Sequence, residues 1–259
     1  MRTEQQGYSL VELVVAITLS AGVFSVLMVW FDRPLQVMLE TQQRMSDVQR
    51  AQRVVSRFGQ EIGSALPNSV RVACGGDCLE FIPVLQQGYY RSDTPGDLLD
   101  FMGPDSGFDI LVPLATTPSN GSQIVINNLS SSGAGSDSAY SSDPTNNRSS
   151  VAGGSSTSHI AMTSKLFPAP SSTQKFYIVD SAASYLCDQS VGTMRRNGGY
   201  SIQSSQPVNL AAGSLLAEDI VDCEFQAVDS GLVSLRVSVG TSGADPVTLF
   251  AQFRLENKP

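Results

Sequence analysis

Four cysteines are the residues of this chain whose spacing could support chemistry, because paired thiols form disulfides and clustered thiolates bind zinc. They are Cys74, Cys78, Cys187 and Cys223, and three pairings are possible. We favour Cys74–Cys78, which closes a tight Gly-Gly-Asp loop, together with Cys187–Cys223, which joins two candidate strands far apart in the sequence. The rival interpretation is a four-cysteine zinc site. It is disfavoured because the isolated Cys187 and Cys223 do not form the second pair of closely spaced ligands that structural zinc sites use.

Signatures of catalysis are scarce in the sequence. The single histidine, His159, stands at the start of a candidate strand, where a histidine is usually structural. The acids Glu218, Asp219, Asp222 and Glu224 could serve acid–base chemistry, but neighbouring strand residues point to opposite faces and most such acids are solvated. The sequence contains no serine-hydrolase elbow, zincin pair, P-loop or dinucleotide fingerprint. We therefore predict no enzyme, no catalytic residue and no cofactor.

An acidic residue inside an apolar segment is the most informative feature of the chain. Residues 8–31 are apolar in character apart from Glu12, and a helix of that length, about 36 Å, crosses a hydrocarbon core of about 30 Å. An acid near the bilayer centre costs about 2.5–3.5 kcal/mol, so Glu12 requires a partner or a role. A secretory signal peptide fits poorly, since its apolar stretch is shorter and its cleavage site follows that stretch. A plain signal anchor with a stray glutamate is the simpler alternative.

Cleavage after Gly7 would give Glu12 a partner. Tyr8 would become the new amino terminus, one helical turn before Glu12, and both its amine and the helix dipole would favour the carboxylate. The run Gly7-Tyr8-Ser9-Leu10-Val11-Glu12 resembles the cleavage and methylation motif of type IV prepilins and pseudopilins, with Tyr8 in place of the usual phenylalanine. The resemblance implies that a prepilin peptidase cuts after Gly7 and methylates Tyr8. It also implies that Glu12 docks the subunit into a growing filament.

A narrower resemblance lies beyond the helix. Residues 65–72 (ALPNSVRV) and 78–84 (CLEFIPV) are similar to the O-type minor pilins of mannose-sensitive haemagglutinin (MSHA) pili. This resemblance implies an α+β, pilin-like fold in which one long N-terminal helix packs on an antiparallel β-sheet domain. It also implies a minor pilin that primes pilus assembly or sits at the tip, with a role in surface attachment. The implied partners are major and minor pilin subunits, the prepilin peptidase and the inner-membrane assembly platform.

Two other classes of function stay open. A type II secretion pseudopilin has the same N-terminal motif and would push cargo through an outer-membrane pore. A membrane-anchored periplasmic binding protein or enzyme would share only the leader. The expected location is the inner membrane, with a single span and a periplasmic C-terminal domain, and later the cell-surface pilus. An oxidising periplasm allows disulfides, and a net charge of -8 argues against nucleic acid as a partner.

These features divide the chain into segments that must position the candidate residues. A second helical segment is predicted after the span, because apolar residues recur every seven positions from Val48 to Ala65 and would pack on the chain's own globular domain. Pro34 lacks a backbone N–H and predicts a kink or local loosening near the membrane exit. The predicted segments are the leader 1–7, the transmembrane and assembly helix 8–31, its amphipathic continuation 32–66 and the β-rich domain 67–259.

Short runs of β-branched and aromatic residues beyond Leu66, separated by turn residues, predict antiparallel sheet. The last third predicts a β-meander of Ile220–Val228, Leu232–Val239 and Val247–Leu255, with turns at 229–231 and 241–246. The earlier candidate strands are Val70–Ala73, Leu79–Leu85, Leu98–Met102, Asp109–Leu114, Gln123–Asn128, His159–Thr163 and Lys175–Val179.

A long stretch rich in serine, glycine and asparagine interrupts these strands. Residues 116–158 have too little apolar area to offset their ordering entropy and predict a mobile surface loop. Asp137 and Asp143 in this loop suggest calcium, but they lack the regular ligand spacing of a Ca²⁺ loop. We predict no metal site.

Overall fold

A computed structural model describes residues 7, 9–228, 231–240 and 245–255 of the chain. The described residues contain one long helix and fourteen strands. The apolar N-terminal helix is followed by antiparallel β-sheets. The predicted α+β class is therefore confirmed. The chain divides into two compact units, residues 1–47 and 48–259.

Helix α1 spans Leu10–Gly63 and covers most of both predicted helical segments, 8–31 and 32–66. Pro34 lies inside it, and the helix is not interrupted there. The helix ends three residues before the predicted boundary at Leu66, because the Leu66 amide donates to the carbonyl of Ile82 at 2.8 Å. The chain thus leaves the helix to pair with a later segment.

The strands are β1 (Arg71–Ala73), β2 (Cys78–Phe81), β3 (Val84–Tyr89), β4 (Asp105–Asp109), β5 (Gln123–Ile126), β6 (Arg148–Ser150), β7 (His159–Lys165), β8 (Lys175–Val179), β9 (Ala182–Asp188), β10 (Thr193–Tyr200), β11 (Ser214–Glu218), β12 (Ile220–Val228), β13 (Leu232–Val239) and β14 (Val247–Arg254). A short 3₁₀ turn, Cys74–Gly76, separates β1 from β2. All pairings between these strands are antiparallel.

Two sheets pack against one face of the part of α1 that belongs to the second unit. The five-stranded sheet has the order β1-β2-β9-β10-β11, and the three-stranded sheet is the predicted meander β12-β13-β14. Ala51, Val54, Phe58 and Ile62 of the helix are buried at spacings of three and four residues, as expected for one apolar face, and share a core with both sheets. We call this helix segment and its two sheets the body.

Phe58 lies at the centre of the body's core. Its ring centroid is 5.1 Å from that of Tyr185 on β9, 5.5 Å from Phe225 on β12 and 5.6 Å from Phe253 on β14. Gly59 follows it on the helix, and a Cβ at this position would overlap the Phe253 ring. The glycine therefore permits the close approach of β14 to the helix.

Residues 82–181 form an excursion from the five-stranded sheet, which we call the inserted lobe. β2 and β9 are neighbours in that sheet, with Phe81 opposite Ala183, although the lobe separates them in sequence. The lobe contains a four-stranded sheet, β3-β8-β5-β6, and a two-stranded sheet, β4-β7. A second core lies between these sheets, and a third buries the other face of β5 and β8.

Several predicted strands differ from those observed. The candidate 98–102 is not a strand, and Leu99 instead packs into the core of the lobe. The candidate 109–114 is replaced by β4, which ends at Asp109, opposite His159 of β7. The candidate 79–85 divides into β2 and β3 around Pro83, which has no N–H to donate to a ladder. Residues 229–230 and 241–244 of the two predicted turns lie outside the described residues.

The serine-rich segment 116–158 differs most from its prediction as a mobile surface loop. It contributes β5 and β6, and Ala139 and Tyr140 are fully buried. Its polar side chains supply hydrogen bonds that a simple estimate of apolar area ignores. Buried Asn128 donates to the carbonyl of Pro67 at 2.6 Å and accepts from the Ala139 amide at 2.7 Å. Such bonds satisfy the backbone where no regular ladder exists.

Candidate functional site

The start of α1 holds the described residues of the predicted processing and assembly site. Gly7 is exposed and precedes the helix, and Glu12 is exposed in the first turn. The amide of Leu13 donates to the carbonyl of Ser9 at 3.2 Å, so helical hydrogen bonding reaches back to Ser9. Tyr8, the predicted N-methylated residue, lies outside the described residues.

The helix segment that follows has the length and composition of a membrane span. Leu10–Met28 is an apolar stretch of 19 residues, and none of it is buried. At 1.5 Å per residue it is about 28 Å long, close to the thickness of a hydrocarbon core. By length and composition, this segment fits either a membrane anchor or a signal sequence.

The polar side chains of this span differ in how they are satisfied. The hydroxyls of Thr18, Ser20 and Ser25 donate to carbonyls one turn earlier, at 3.0, 2.7 and 2.7 Å. They therefore need no partner from lipid or from another chain. The Glu12 carboxylate makes no hydrogen bond or ion pair with any residue that the structure describes. No described residue therefore competes with a cationic group for this carboxylate, and its position in the first turn also suits the helix dipole.

The four cysteines lie in two pairs at distances that suit disulfides, and these are the pairs favoured from the sequence. The Cα atoms of Cys74 and Cys78 are 5.4 Å apart, and those of Cys187 and Cys223 are 6.6 Å apart. The first pair closes the 3₁₀ turn before β2. The second joins β9 of the five-stranded sheet to β12 of the three-stranded sheet. Both disulfides belong to the body.

The acids considered for catalysis lie near or on β12, and three of the four form ion pairs within the body. Asp219 pairs with Arg50 of α1. Asp222 and Glu224 share Arg236 of β13, each with an N–O distance of 2.8 Å. Hydrogen bonds from Gln226 and Arg236 hold the pKa of Glu224 below its usual value. Glu218 is exposed at the end of β11. The structure therefore uses three of these acids to connect elements of the body.

His159 forms a hydrogen bond with an acid inside the lobe. Its Nδ1 is 2.9 Å from Oδ1 of Asp109, which lies directly opposite on β4. The backbone amide of Asp97 and the imidazole together hold the pKa of Asp109 below its usual value. The pair links β4 to β7, in agreement with a structural histidine.

The two acids considered for calcium do not converge on one site. Asp143 accepts hydrogen bonds from the amide and hydroxyl of Thr145, at 2.8 and 2.7 Å, and so closes a turn. Asp137 lies near Gly135 in a separate turn. In the described ranges, no group of three or more His, Cys, Asp or Glu side chains is arranged to hold a metal ion.

Sequence reasoning missed a buried charged network around Glu80 of β2. The side chain is fully buried, and it accepts from Arg71 Nε at 2.5 Å and from the Tyr200 hydroxyl at 3.0 Å. Burial raises the pKa of Glu80, while Arg71 and Tyr200 oppose that shift. The sequence did contain a signal for this network. The short apolar strands β1 and β2 each contain one charged residue, Arg71 and Glu80 respectively.

Arg71 extends this network to other parts of the chain. Its guanidinium lies 3.8 Å from the ring centroid of Tyr140 and donates to the carbonyls of Gln203 and Ser204, at 2.9 and 2.7 Å. The Tyr140 hydroxyl donates to the carbonyl of Ser69 at 2.9 Å. The network therefore joins β1, the serine-rich segment and the stretch after β10.

Comparisons of this chain with protein-family models, with curated proteins and with solved structures give no match.

Proposed function

We propose that this chain is a minor type IV pilin, cut by a prepilin peptidase after Gly7, methylated at Tyr8 and assembled into a pilus. The observation that carries the proposal is the position of Glu12 at the start of an exposed apolar helix, without a described partner. An acid in lipid requires compensation. An amine at residue 8, one turn earlier on the same face, would provide it before assembly, and a neighbouring subunit would provide it in the filament.

The size of the chain supports a minor subunit. Major pilins are commonly smaller, whereas this chain carries an inserted lobe of its own in addition to the body. We place the subunit at or near the pilus tip, where it would prime assembly and contribute to surface attachment. The O-type subunit of MSHA pili is the narrower form of this proposal. Partners would be other pilins, the peptidase and the inner-membrane assembly platform.

The proposed function implies two successive cellular locations for the protein. It would first be a single-pass inner-membrane protein with a periplasmic C-terminal domain, and would then move to the cell-surface pilus. The disulfide-distance cysteine pairs of the body support an oxidising compartment.

The N-terminal peptide of the native protein tests the proposal. Mass spectrometry would be applied to protein extracted from membranes and to protein from sheared surface filaments. We expect a chain that begins with N-methylated Tyr8 in both fractions. Processed protein confined to membranes would favour a type II secretion pseudopilin. A chain that keeps its leader in both fractions would contradict the proposal and favour a membrane-anchored binding protein or enzyme.

A further inference from the structure

The amine of Lys165, the last residue of β7, lies against a buried side-chain amide in the inserted lobe. Its Nζ donates to Oδ1 of Asn146 at 3.1 Å and to the carbonyl of Pro144 at 2.5 Å. Asn146 is only 7% exposed and lies just before β6. Because Cγ is bonded to Oδ1, Nζ is at most about 4.3 Å from Cγ. The fold therefore holds an amine beside an amide carbon.

The Asn146 amide is held at both of its polar atoms. Its Nδ2 donates to the carbonyl of Ser141 at 2.7 Å, and its Oδ1 accepts from the backbone amide of Arg148 at 3.1 Å. The second bond polarises the side-chain carbonyl. It also places a fixed donor where negative charge would develop on Oδ1 during attack on Cγ, as in an oxyanion hole.

The surroundings of Lys165 favour its neutral amine more than those of an ordinary surface lysine. Lys165 belongs to none of the ion pairs formed among the described residues. Burial and the charge of Arg148 lower the pKa of Lys165, while Asp143 opposes that shift. One carboxylate oxygen of Asp143 is bonded to Thr145. The neutral amine is the nucleophilic form of lysine, so this environment increases its reactivity.

The inserted lobe has no disulfide of its own, because none of the four cysteines falls within residues 82–181. Side-chain hydrogen bonds connect β7 to the end of the serine-rich segment. They include those of Lys165 and one from Ser149 Oγ to the carbonyl of Thr163 at 2.7 Å. A covalent bond between Lys165 and Asn146 would close a loop of 19 positions and restrict the unfolded lobe.

We propose that Lys165 and Asn146 become joined by an isopeptide bond once the lobe has folded. The neutral Nζ attacks Cγ, and the Arg148 N–H stabilises the negative charge on Oδ1. A proton then moves from Nζ to Nδ2, the Cγ–Nδ2 bond breaks and ammonia leaves, so the step needs no oxidant, reductant or cofactor. Fixed proximity supplies the rate, since well-oriented groups within one molecule reach effective concentrations of about 10⁵–10⁸ M. The bond requires only the lobe and is independent of the proposed pilin function.

Mass spectrometry of the full-length protein tests the bond after the disulfides have been reduced. We expect the wild-type protein to be lighter than its calculated mass by one ammonia molecule. Lys165→Arg is the matched control, because it keeps the charge and the hydrogen-bond donors but its guanidinium stays protonated and does not attack the amide. A tryptic digest of the wild type should contain residues 92–148 linked to residues 149–175, because trypsin does not cut after a lysine whose amine is acylated.

Each outcome decides the question. Linked peptides in the wild type that are absent from Lys165→Arg support the proposal. A succinimide at Asn146 also loses one ammonia molecule, but it would leave the two peptides separate and would persist in Lys165→Arg, so that result overturns the proposal. Separate peptides with normal cleavage after Lys165 in the wild type overturn it as well. The wild-type digest is decisive by itself, so the test stays valid even if Lys165→Arg fails to fold.

Discussion

Arg71 Nε lies 2.5 Å from Oε2 of Glu80 across the β1–β2 pair, and the carboxylate that it contacts is fully buried. The hydroxyl of Tyr200 donates to the other carboxylate oxygen, and Ser184 is hydrogen-bonded to that hydroxyl. The partners of a buried ion offset the free-energy cost of removing its charge from water. A buried ion that loses its partners destabilises the folded state.

Replacement of Arg71 tests this dependence. We expect Arg71→Met to lower the free energy of unfolding by about 3–5 kcal/mol, because it leaves an uncompensated buried carboxylate. Urea denaturation of the full chain in detergent would measure the loss. Adding Glu80→Gln to Arg71→Met should recover part of it. If the double variant recovers no stability, the loss in Arg71→Met comes mainly from the hydrogen bonds of Arg71 to backbone carbonyls and not from its ion pair with Glu80.

The raised pKa of Glu80 predicts how its contribution to the free energy of unfolding changes with pH. The folded state keeps its proton to a higher pH than the unfolded state, whose carboxyl titrates near 4.5. The contribution of this group to stability is therefore greatest below that value and is lost as the pH rises through the raised pKa. Glu80→Gln should remove this component of the slope, which denaturation midpoints measured from about pH 4 upward would show. An unchanged slope in Glu80→Gln would contradict the assignment.

The two disulfides should differ in their effect on stability. Cys187–Cys223 spans 36 positions and Cys74–Cys78 spans 4, and a longer closed loop restricts the unfolded chain more. Replacing both cysteines of the long pair by alanine should cost about 4 kcal/mol, against about 2 kcal/mol for the short pair. Urea denaturation without reductant would measure both. Equal losses would show that loop length does not govern these two bonds.

Glu12 should act in assembly rather than in membrane insertion. Glu12→Ala removes an acid from the apolar segment, so insertion should be as good as that of the wild type or better. The amount in sheared filaments should fall by about tenfold or more, the ratio for an interaction of about 1.4 kcal/mol. Quantitative immunoblots of membrane and filament fractions would compare the two. Glu40→Ala, on the same helix, is the matched control, and equal filament levels in both variants would contradict the role of Glu12.

Asn128 should hold the serine-rich segment in place. Asn128→Ala leaves the Pro67 carbonyl and the Ala139 amide without their partner, at about 1–3 kcal/mol for each buried group left unsatisfied. We expect faster proteolysis of residues 130–146 and a lower denaturation midpoint. Asn120→Ala, at an exposed turn position of the same segment, is the control. Equal cleavage rates in the two variants would show that other contacts order the segment.

Local periodicity made the helix and the meander predictable from sequence. The apolar spacing around Phe58 and the turn-separated runs of β12 to β14 depend only on near neighbours along the chain. β10 had no such signal. Its sequence, TMRRNGGY, is poor in β-formers, and the strand exists because it pairs with β9 and β11. Tertiary pairing thus overrides local preference there.

The contacts of polar side chains were the part of the structure that the sequence predicted least well. Arg71 and Glu80 can be recognised as unusual in apolar strands, but the involvement of Tyr140 and Tyr200 depends on segments brought together by folding. The serine-rich segment appeared unstructured because composition counts apolar area and does not count side-chain bonds to the backbone.

The position of the inserted lobe has a consequence for the order of folding. Phe81 and Ala183 can pair only after a loop of roughly 100 residues has closed, and a flexible loop of that length carries a large entropic penalty. A lobe that has already condensed around its own core brings its two ends together and reduces that penalty. We therefore expect the lobe to be structured before the five-stranded sheet is complete, so that slow assembly of β2 with β9 limits maturation of the body.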